Sequence, residues 1–258
     1  TLGDDEMFFT DKTYDINELA KSNLHIHTNF SGCAKEEMDF LEIVRVAKQA
    51  GLKKIAITDH IYRRDELPEF IENCARLRRL RDEINSDTEI LIGGEFSCYK
   101  EDDYTLNGVE IETDYRLYAQ NHFHVTGWQQ GDGGTPEGYK EVTKRMLHNL
   151  FKNKAADTIA HPFSGRYLTR AKGWPSDTVG NTWTENELGD IMLEGHESGC
   201  AWEFNSSNLV SDPELIKKMY YIGKEIGVVF TVGTDAHRLE AIDTKNIAQE
   251  LKRIIRNG

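Results

Sequence analysis

Nitrogen and oxygen donors recur along this chain at the ends of short apolar runs, and that coincidence restricts its fold more than any other feature. His60 follows Ile55-Ala-Ile-Thr58, Glu95 follows Ile90-Leu-Ile92, and Asp235 and His237 follow Val228-Val-Phe-Thr-Val232; His25, His27, His122 and His161 close further runs. A run of four to eight apolar residues with polar flanks reads as a buried strand. If each strand delivers its donor to one place, the strands lie side by side, point the same way and share a rim. A dispersed metal site of this kind is usually catalytic.

The rest of the pattern agrees. Strands are predicted over 23–28, 54–60, 89–97, 119–127, 157–162, 200–206 and 228–235, and helices near 37–50, 66–85, 136–153, 186–198, 213–226 and 239–256. Gly51 follows the first of these helices, Asp212 and Pro213 open a later one as N-cap and first helical residue, and Gly227 ends it. Seven alternating βα units imply a parallel sheet. In barrels built this way the active site lies at the C-terminal ends of the strands, where the donors fall.

Composition narrows the function. With 258 residues, 38% of them apolar and 29% charged, the chain suits one barrel with a sizeable core. No apolar run approaches the roughly 18 residues of a membrane span. Thr1 to Thr10 carries Asp4, Asp5 and Glu6 and lacks the basic start and apolar core of a signal peptide. The cysteines, at 33, 74, 98 and 200, share no CxxC spacing, which suits a reducing compartment, and the cytoplasm is the expected location. The net charge of −13 disfavours a nucleic-acid partner, because such binding needs Lys and Arg to neutralise phosphates. Small anions are still admissible, since cations and local arginines reverse the field inside a pocket.

No linker or low-complexity tract interrupts the chain, so one domain is expected over 1–258, with 1–20 as an N-terminal extension. Two stretches break the alternation. Residues 100–117, with Glu101, Asp102, Asp103, Glu110, Glu112 and Asp114, read as a solvated insertion. Residues 164–185 follow His161 directly and carry Arg166, Tyr167, Arg170, Lys172 and Trp174. Long loops inside compact domains tend to be functional, so this one is placed on the substrate rim.

Residues two apart on a strand face the same way, so His25 and His27 point together, with Leu24 and Ile26 packed behind. Asp235 and His237 repeat the spacing. Glu95, after Gly93 and Gly94, is placed to bridge two cations. His148 and His196 lie in helical segments and are read as surface or packing residues.

Together His25-Ile-His-Thr-Asn-Phe-Ser-Gly-Cys33, Ile57-Thr-Asp-His60, Gly94-Glu-Phe96, His161-Pro-Phe163 and Gly233-Thr-Asp-Ala-His237 resemble the PHP (polymerase and histidinol phosphatase) superfamily across essentially the whole chain. The resemblance implies a distorted (βα)7 TIM-like barrel with two to three divalent metal ions, zinc, manganese or iron. It implies one ion on His25, His27, Glu95 and Asp235, a second on Glu95, His122 and His161, and a third on His60, His237 and the position eight residues after His25. Family members often carry histidine there, and this chain has Cys33. A thiolate suits zinc better than hard ions; the other reading of Cys33 is a small, partly buried side chain. His124 competes with His122, since the two share a face, and a register that aligns Gly127 with a family glycine would put Gln130 in that place.

The implied activity is metal-dependent phosphoesterase chemistry on a small phosphorylated metabolite, histidinol phosphate among the candidates. A metal-activated hydroxide would attack, with Glu95 and Asp235 central to it. Leaving-group protonation is open between Asp59, a metal-bound water and an unliganded histidine such as His124. Arg63, Arg166 and Arg238 are candidate phosphate contacts, although each alone reads as a surface residue. Glu203 and Asn205, two apart at another strand end, are expected to orient ligands or substrate. The alternatives are a phosphodiesterase or nuclease acting on short nucleotides, an amidohydrolase-type hydrolase, and a catalytically silent metal-binding barrel. Oligomeric state leaves no mark on the sequence.

Overall fold

The computed structural model describes residues 12–122 and 134–256. Seven parallel strands run in chain order around the molecule: β1 (Ser22–Ile26), β2 (Lys54–Ile61), β3 (Glu89–Lys100), β5 (Tyr115–Ala119), β6 (Thr158–Ile159), β7 (Ala201–Asn205) and β8 (Phe230–Gly233). A short β4 (Asp103–Tyr104) turns back antiparallel on the end of β3. The last and first strands meet through a single parallel bridge, Ile26 with Ala236. Its bonds run from His27 N to Ala236 O at 3.0 Å and from Ala236 N to His25 O at 3.2 Å. The sheet is thus a nearly closed barrel in one domain.

Around it pack α1 (Ile16–Leu19), α2 (Phe40–Ala50), α3 (Leu67–Glu83), α4 (Pro136–Lys152), α5 (Arg166–Lys172), α6 (Glu185–Glu197), α7 (Ser206–Ser211), α8 (Pro213–Ile226) and α9 (Lys245–Arg256). Their limits follow local chemistry. Asp39 accepts from Leu41 N at the start of α2, Thr184 and Glu187 form a capping box on α6, and Asp212 caps α8 ahead of Pro213. Gly51 and Gly227 end α2 and α8 in the left-handed conformation, at φ 77° and 80°. Helix α2 buries Phe40, Ile43, Val44 and Ala47 on one side. Each large apolar side chain so buried contributes roughly 1.5–3 kcal/mol. Among the described residues no helix is long and apolar enough to cross a membrane.

There are two cores. The larger lies between sheet and helices, while Leu24, Ala56, Tyr115, Leu117, Ala119 and Ala160 fill the barrel itself. Small side chains are needed inside because the barrel also holds Tyr115. Gly93 serves the same crowding, since a Cβ there would stand 2.1 Å from the carbonyl oxygen of Tyr115 on β5.

Three expectations are revised. Of the strand expected over 119–127, residues 123–127 lie outside the described residues, and the strand observed is Tyr115–Ala119, so Tyr115 and Leu117, read as part of a solvated insertion, are buried in sheet. Acidic neighbours and Arg116 mask its alternation; Arg116 is paired with Asp157 at 2.8 Å. The rim segment 164–185 contains α5 and a 3-10 turn at Gly180–Thr182 rather than open loop. On β1, Leu24 faces the barrel interior and Ile26 the outer core, because the register against β2 slips between Asn23 and Ile26.

Candidate metal centre

The C-terminal strand ends bring the expected donors together around Glu95. Glu95 lies beside His60 in the β2–β3 register, and neighbours in register on a parallel pair face the same side. Its two oxygens divide the cluster. Oε2 lies 2.8 Å from His60 Nδ1, 3.4 Å from His25 Nε2 and 3.6 Å from His27 Nε2. Oε1 lies 2.9 Å from His161 Nε2 and 3.1 Å from His122 Nε2. From the end of β8, Asp235 Oδ1 reaches His27 Nε2 at 3.0 Å and His25 Nε2 at 3.4 Å. Cys33 Sγ lies 3.1 Å from His237 Nε2.

Three groups of mutually close donor atoms result: His25, His27, Glu95 and Asp235; His60, Glu95 and His122; and His27, His60 and His237. The first is the expected set. In the others His60 stands between the two sides, nearer Glu95 than the division by resemblance implies, while His161 joins through Glu95 Oε1.

The ligand rings are held from behind. His25 Nδ1 donates to Glu203 Oε1 at 2.8 Å, His122 Nδ1 meets Ser97 Oγ at 2.9 Å, and His237 Nδ1 donates to the Asp235 carbonyl at 2.8 Å. A ring nitrogen that donates backward leaves the other free to bind forward. Glu203, itself buried, also accepts from the backbone N–H of His161 and from Asn205 Nδ2 at 3.1 Å. Gly233 makes room for it, because a Cβ there would stand 1.7 Å from Glu203 Oε1. His27 stacks on His60 and His237 with centroids 4.2 and 4.3 Å apart. His161 and Asp235 have positive φ, 31° and 54°. Such backbone costs on the order of 1–3 kcal/mol per residue and collects at functional sites.

Burial disfavours charge throughout the cluster, yet specific partners overrule it. Glu95 and Asp235 are held well below the carboxylate range by the surrounding imidazoles despite burial. Against the same burial penalty, Glu203, Glu95 and Asp235 raise His25 well above the ordinary value, and Glu95 with Cys33 raises His60 to about 10. His27 and His122 go the other way, mainly through burial, His122 to about 4. For Cys33, the His237 and His60 imidazoles overcome desolvation and lower the thiol to about 6. Anionic oxygens thus demand positive charge at the centre, beside neutral imidazole nitrogens. Among the described residues His25 Nε2, His60 Nδ1 and Glu95 Oε2 find no hydrogen-bond partner although buried. The 2.8 Å approach of His60 Nδ1 to Glu95 Oε2 is therefore a contact between candidate donor atoms without hydrogen-bonding geometry. These residues fit divalent metal.

Other candidates lie elsewhere. Asp59 alternates with His60 on β2 and turns away from the cluster. It accepts from Thr28 N at 2.7 Å, Thr28 Oγ1 and Ser31 Oγ at 2.8 Å, and Asn73 Nδ2 at 3.1 Å. With both oxygens so engaged it anchors the loop from His27 to Cys33. Arg63, 62% exposed, pairs with Asp65 and Glu66 at 3.3 and 3.6 Å. Arg166 and Arg238 are exposed, and Arg238 lines a cavity of about 640 Å³ beside the centre with Lys35, Ser206 and Thr234. Asn205 is buried and caps α7, its Oδ1 accepting from Ser207 N at 2.9 Å. His124 and Gln130 lie outside the described residues. His148 pairs with Glu194 at 2.5 Å and His196 contacts Lys12 at 3.2 Å, both away from the cluster.

Two neighbours escaped the sequence reading. Ser97 holds His122, and Tyr62 stacks on His60 with centroids 4.7 Å apart. Each lies two residues beyond a ligand on the same strand direction, a spacing that could have flagged both.

Fold and cluster define a metal-binding α/β barrel. The PHP domain family matches residues 23–168, and the chain belongs to that family. A Vibrio vulnificus protein named a probable phosphatase is 25% identical over 249 residues, covering 90% of this chain and 83% of that protein. The DNA polymerase/3′-5′ exonuclease PolX of Bacillus subtilis is 23% identical, over 86% of this chain but 35% of that protein. Among solved structures, histidinol phosphate phosphatase of Lactococcus lactis, complexed with zinc, L-histidinol and phosphate, aligns with a TM-score of 0.56 at 16% identity, covering 92% of this chain and 93% of that one. A putative histidinol phosphatase of Listeria monocytogenes aligns at 0.61 and 15% identity, covering 88% and 98%. At these identities the structural likeness shows the fold.

Proposed function

We propose that the protein is a metal-dependent phosphoesterase that hydrolyses a small phosphorylated metabolite, a phosphomonoester of the histidinol phosphate kind. The observation that carries this is the division of Glu95, one oxygen facing His25, His27 and His60 and the other His122 and His161. A buried carboxylate shared in this way suits neighbouring cations. His25, His27, Glu95 and Asp235 would hold the first, Glu95, His122 and His161 the second, and His60, His237 and Cys33 the third. Divalent ions there would neutralise phosphate oxygens and lower the pKa of water towards neutrality.

The chain's own residues have separable tasks. Glu203 and Ser97 fix ring orientation, and Asp59 fixes the loop that carries Cys33. Arg166, at the start of α5, and Arg238, one residue after His237, are the candidate phosphate contacts, while Arg63 is committed to Asp65 and Glu66. For leaving-group protonation the saturation of Asp59 by four donors leaves a metal-bound water or His124. The probable phosphatases of Vibrio and the phosphatase barrels support a monoester. The likeness to PolX supports a second reading, a diester of short nucleotides. A reducing compartment, the cytoplasm, agrees with four free thiols.

The test is metal content by elemental mass spectrometry on protein purified without chelator, with hydrolysis of an aryl phosphate and a bis-aryl phosphate under added Mn²⁺ or Zn²⁺. Two to three ions with monoesterase activity are expected. Diester turnover alone would move the assignment to the second reading, and absence of metal would overturn both.

A further inference from the structure

The cluster is chemically uneven. Around Glu95 and Asp235 every donor is nitrogen or carboxylate oxygen, whereas one corner carries sulfur. Cys33 Sγ stands 3.1 Å from His237 Nε2, and the His237 ring centroid lies 5.7 Å from that of His60. His237 has committed Nδ1 to the Asp235 carbonyl at 2.8 Å, so Nε2 is the nitrogen turned to the thiol. His27 stacks against both imidazoles and fixes their planes. His60 Nδ1 is buried and without a hydrogen-bond partner among the described residues.

A packing role does not explain this placement. Cys74, Cys98 and Cys200 are all buried, at 1%, 3% and 0% exposure, whereas Cys33 is exposed on the loop between β1 and α2. That loop is tied down from two directions. Asp59 binds Thr28 and Ser31, and Lys35 N donates to the His237 carbonyl at 3.0 Å. The second bond joins the segment carrying the thiol directly to the segment carrying its imidazole partner.

We propose that Cys33, His60 and His237 form a thiolate corner that takes a zinc-class ion and discriminates against Mg²⁺ and Mn²⁺, making the centre one of unlike subsites. The inference rests on the reading of the cluster as a metal centre. Soft sulfur with two imidazoles selects zinc-class ions, while the carboxylate-rich subsite of His25, His27, Glu95 and Asp235 admits harder ones. One thiolate and two imidazoles, once deprotonated, supply three protein ligands, the number that leaves a fourth position open. On binding, the sulfur–metal and nitrogen–metal bonds form as the thiol and any imidazolium N–H lose their protons to solvent.

Cobalt reports on sulfur directly. Metal-stripped protein titrated with Co²⁺ is expected to develop a sulfur-to-cobalt charge-transfer band in the near ultraviolet. Cys33→Ser should lose the band and one cobalt per chain while keeping its circular dichroism. Loaded with zinc and then dialysed against excess Mn²⁺, wild type should keep one zinc per chain. Cys33→His should bind as many ions but show no sulfur-to-cobalt band. Bound cobalt without the band, or an unchanged band in Cys33→Ser, would overturn the inference and leave the metal-centre reading standing. No bound cobalt in wild type would overturn both.

Discussion

Glu95 carries more of the site than any other side chain, since both its oxygens face imidazoles and none of its surface meets solvent. Glu95→Ala should therefore empty two subsites at once, lowering metal content by two ions per chain and turnover to background while circular dichroism stays native. Full activity in that variant would sink the shared-carboxylate arrangement. Glu203 acts one layer behind. Glu203→Gln leaves one acceptor where His25 Nδ1 and the His161 N–H now use two oxygens. Loss of such a supporting group costs about 10–100-fold in metal affinity. Chelator competition should show that loss, with kcat recovering as metal is raised; unchanged affinity would reduce Glu203 to a packing role.

At the scale of the element, strand alternation decides which residues can serve the site. His60 and Asp59 are adjacent in sequence yet face opposite ways on β2. The signal was legible for His60, and the same rule, applied to its neighbour, would have removed Asp59 from the catalytic candidates. Gly51 at the end of α2, and Asp212, Pro213 and Gly227 at the ends of α8, were equally legible because they depend on contacts within a few residues. Strand β5 was not, since its burial comes from β3 and β6, which no local window contains. One cap has a measurable charge. Burial, with Asp177 nearby, raises Asp212 to about 6 although Leu215 N–H pulls it down. A carboxyl with a higher pKa in the folded state than in the unfolded one contributes stability at low pH and loses it as pH rises. Asp212→Asn keeps an amide oxygen to cap α8 and removes the charge. Its Tm should exceed that of wild type by a margin that grows from about pH 4 to about pH 6 and is constant above that. A difference independent of pH would contradict this account.

The whole barrel is organised around donors drawn from β1, β2, β3, the segments after β5 and β6, and the end of β8. The donors themselves were legible because a metal site needs a few residue types at strand ends. Their mutual distances were not, and neither was the choice between His122 and His124, since strand alternation alone assigns both to one face. An ion that binds only the folded chain stabilises it by about 4 kcal/mol at a thousandfold excess over Kd. Removing metal with chelator should thus lower Tm by on the order of 10 °C for a protein of this size, reversibly on adding Zn²⁺. An unchanged Tm would mean that the cluster is assembled equally well without ions.

The single bridge between Ile26 and Ala236 joins the two ends of the sheet, and His25, His27, Asp235 and His237 flank it. During synthesis the earliest donors leave the ribosome some two hundred residues before the last. Until Asp235 and His237 follow them, the donor cluster lacks a carboxylate on one side and an imidazole on the other. On the proposed reading, the centre would be completed only at the end of synthesis, and metal would load late.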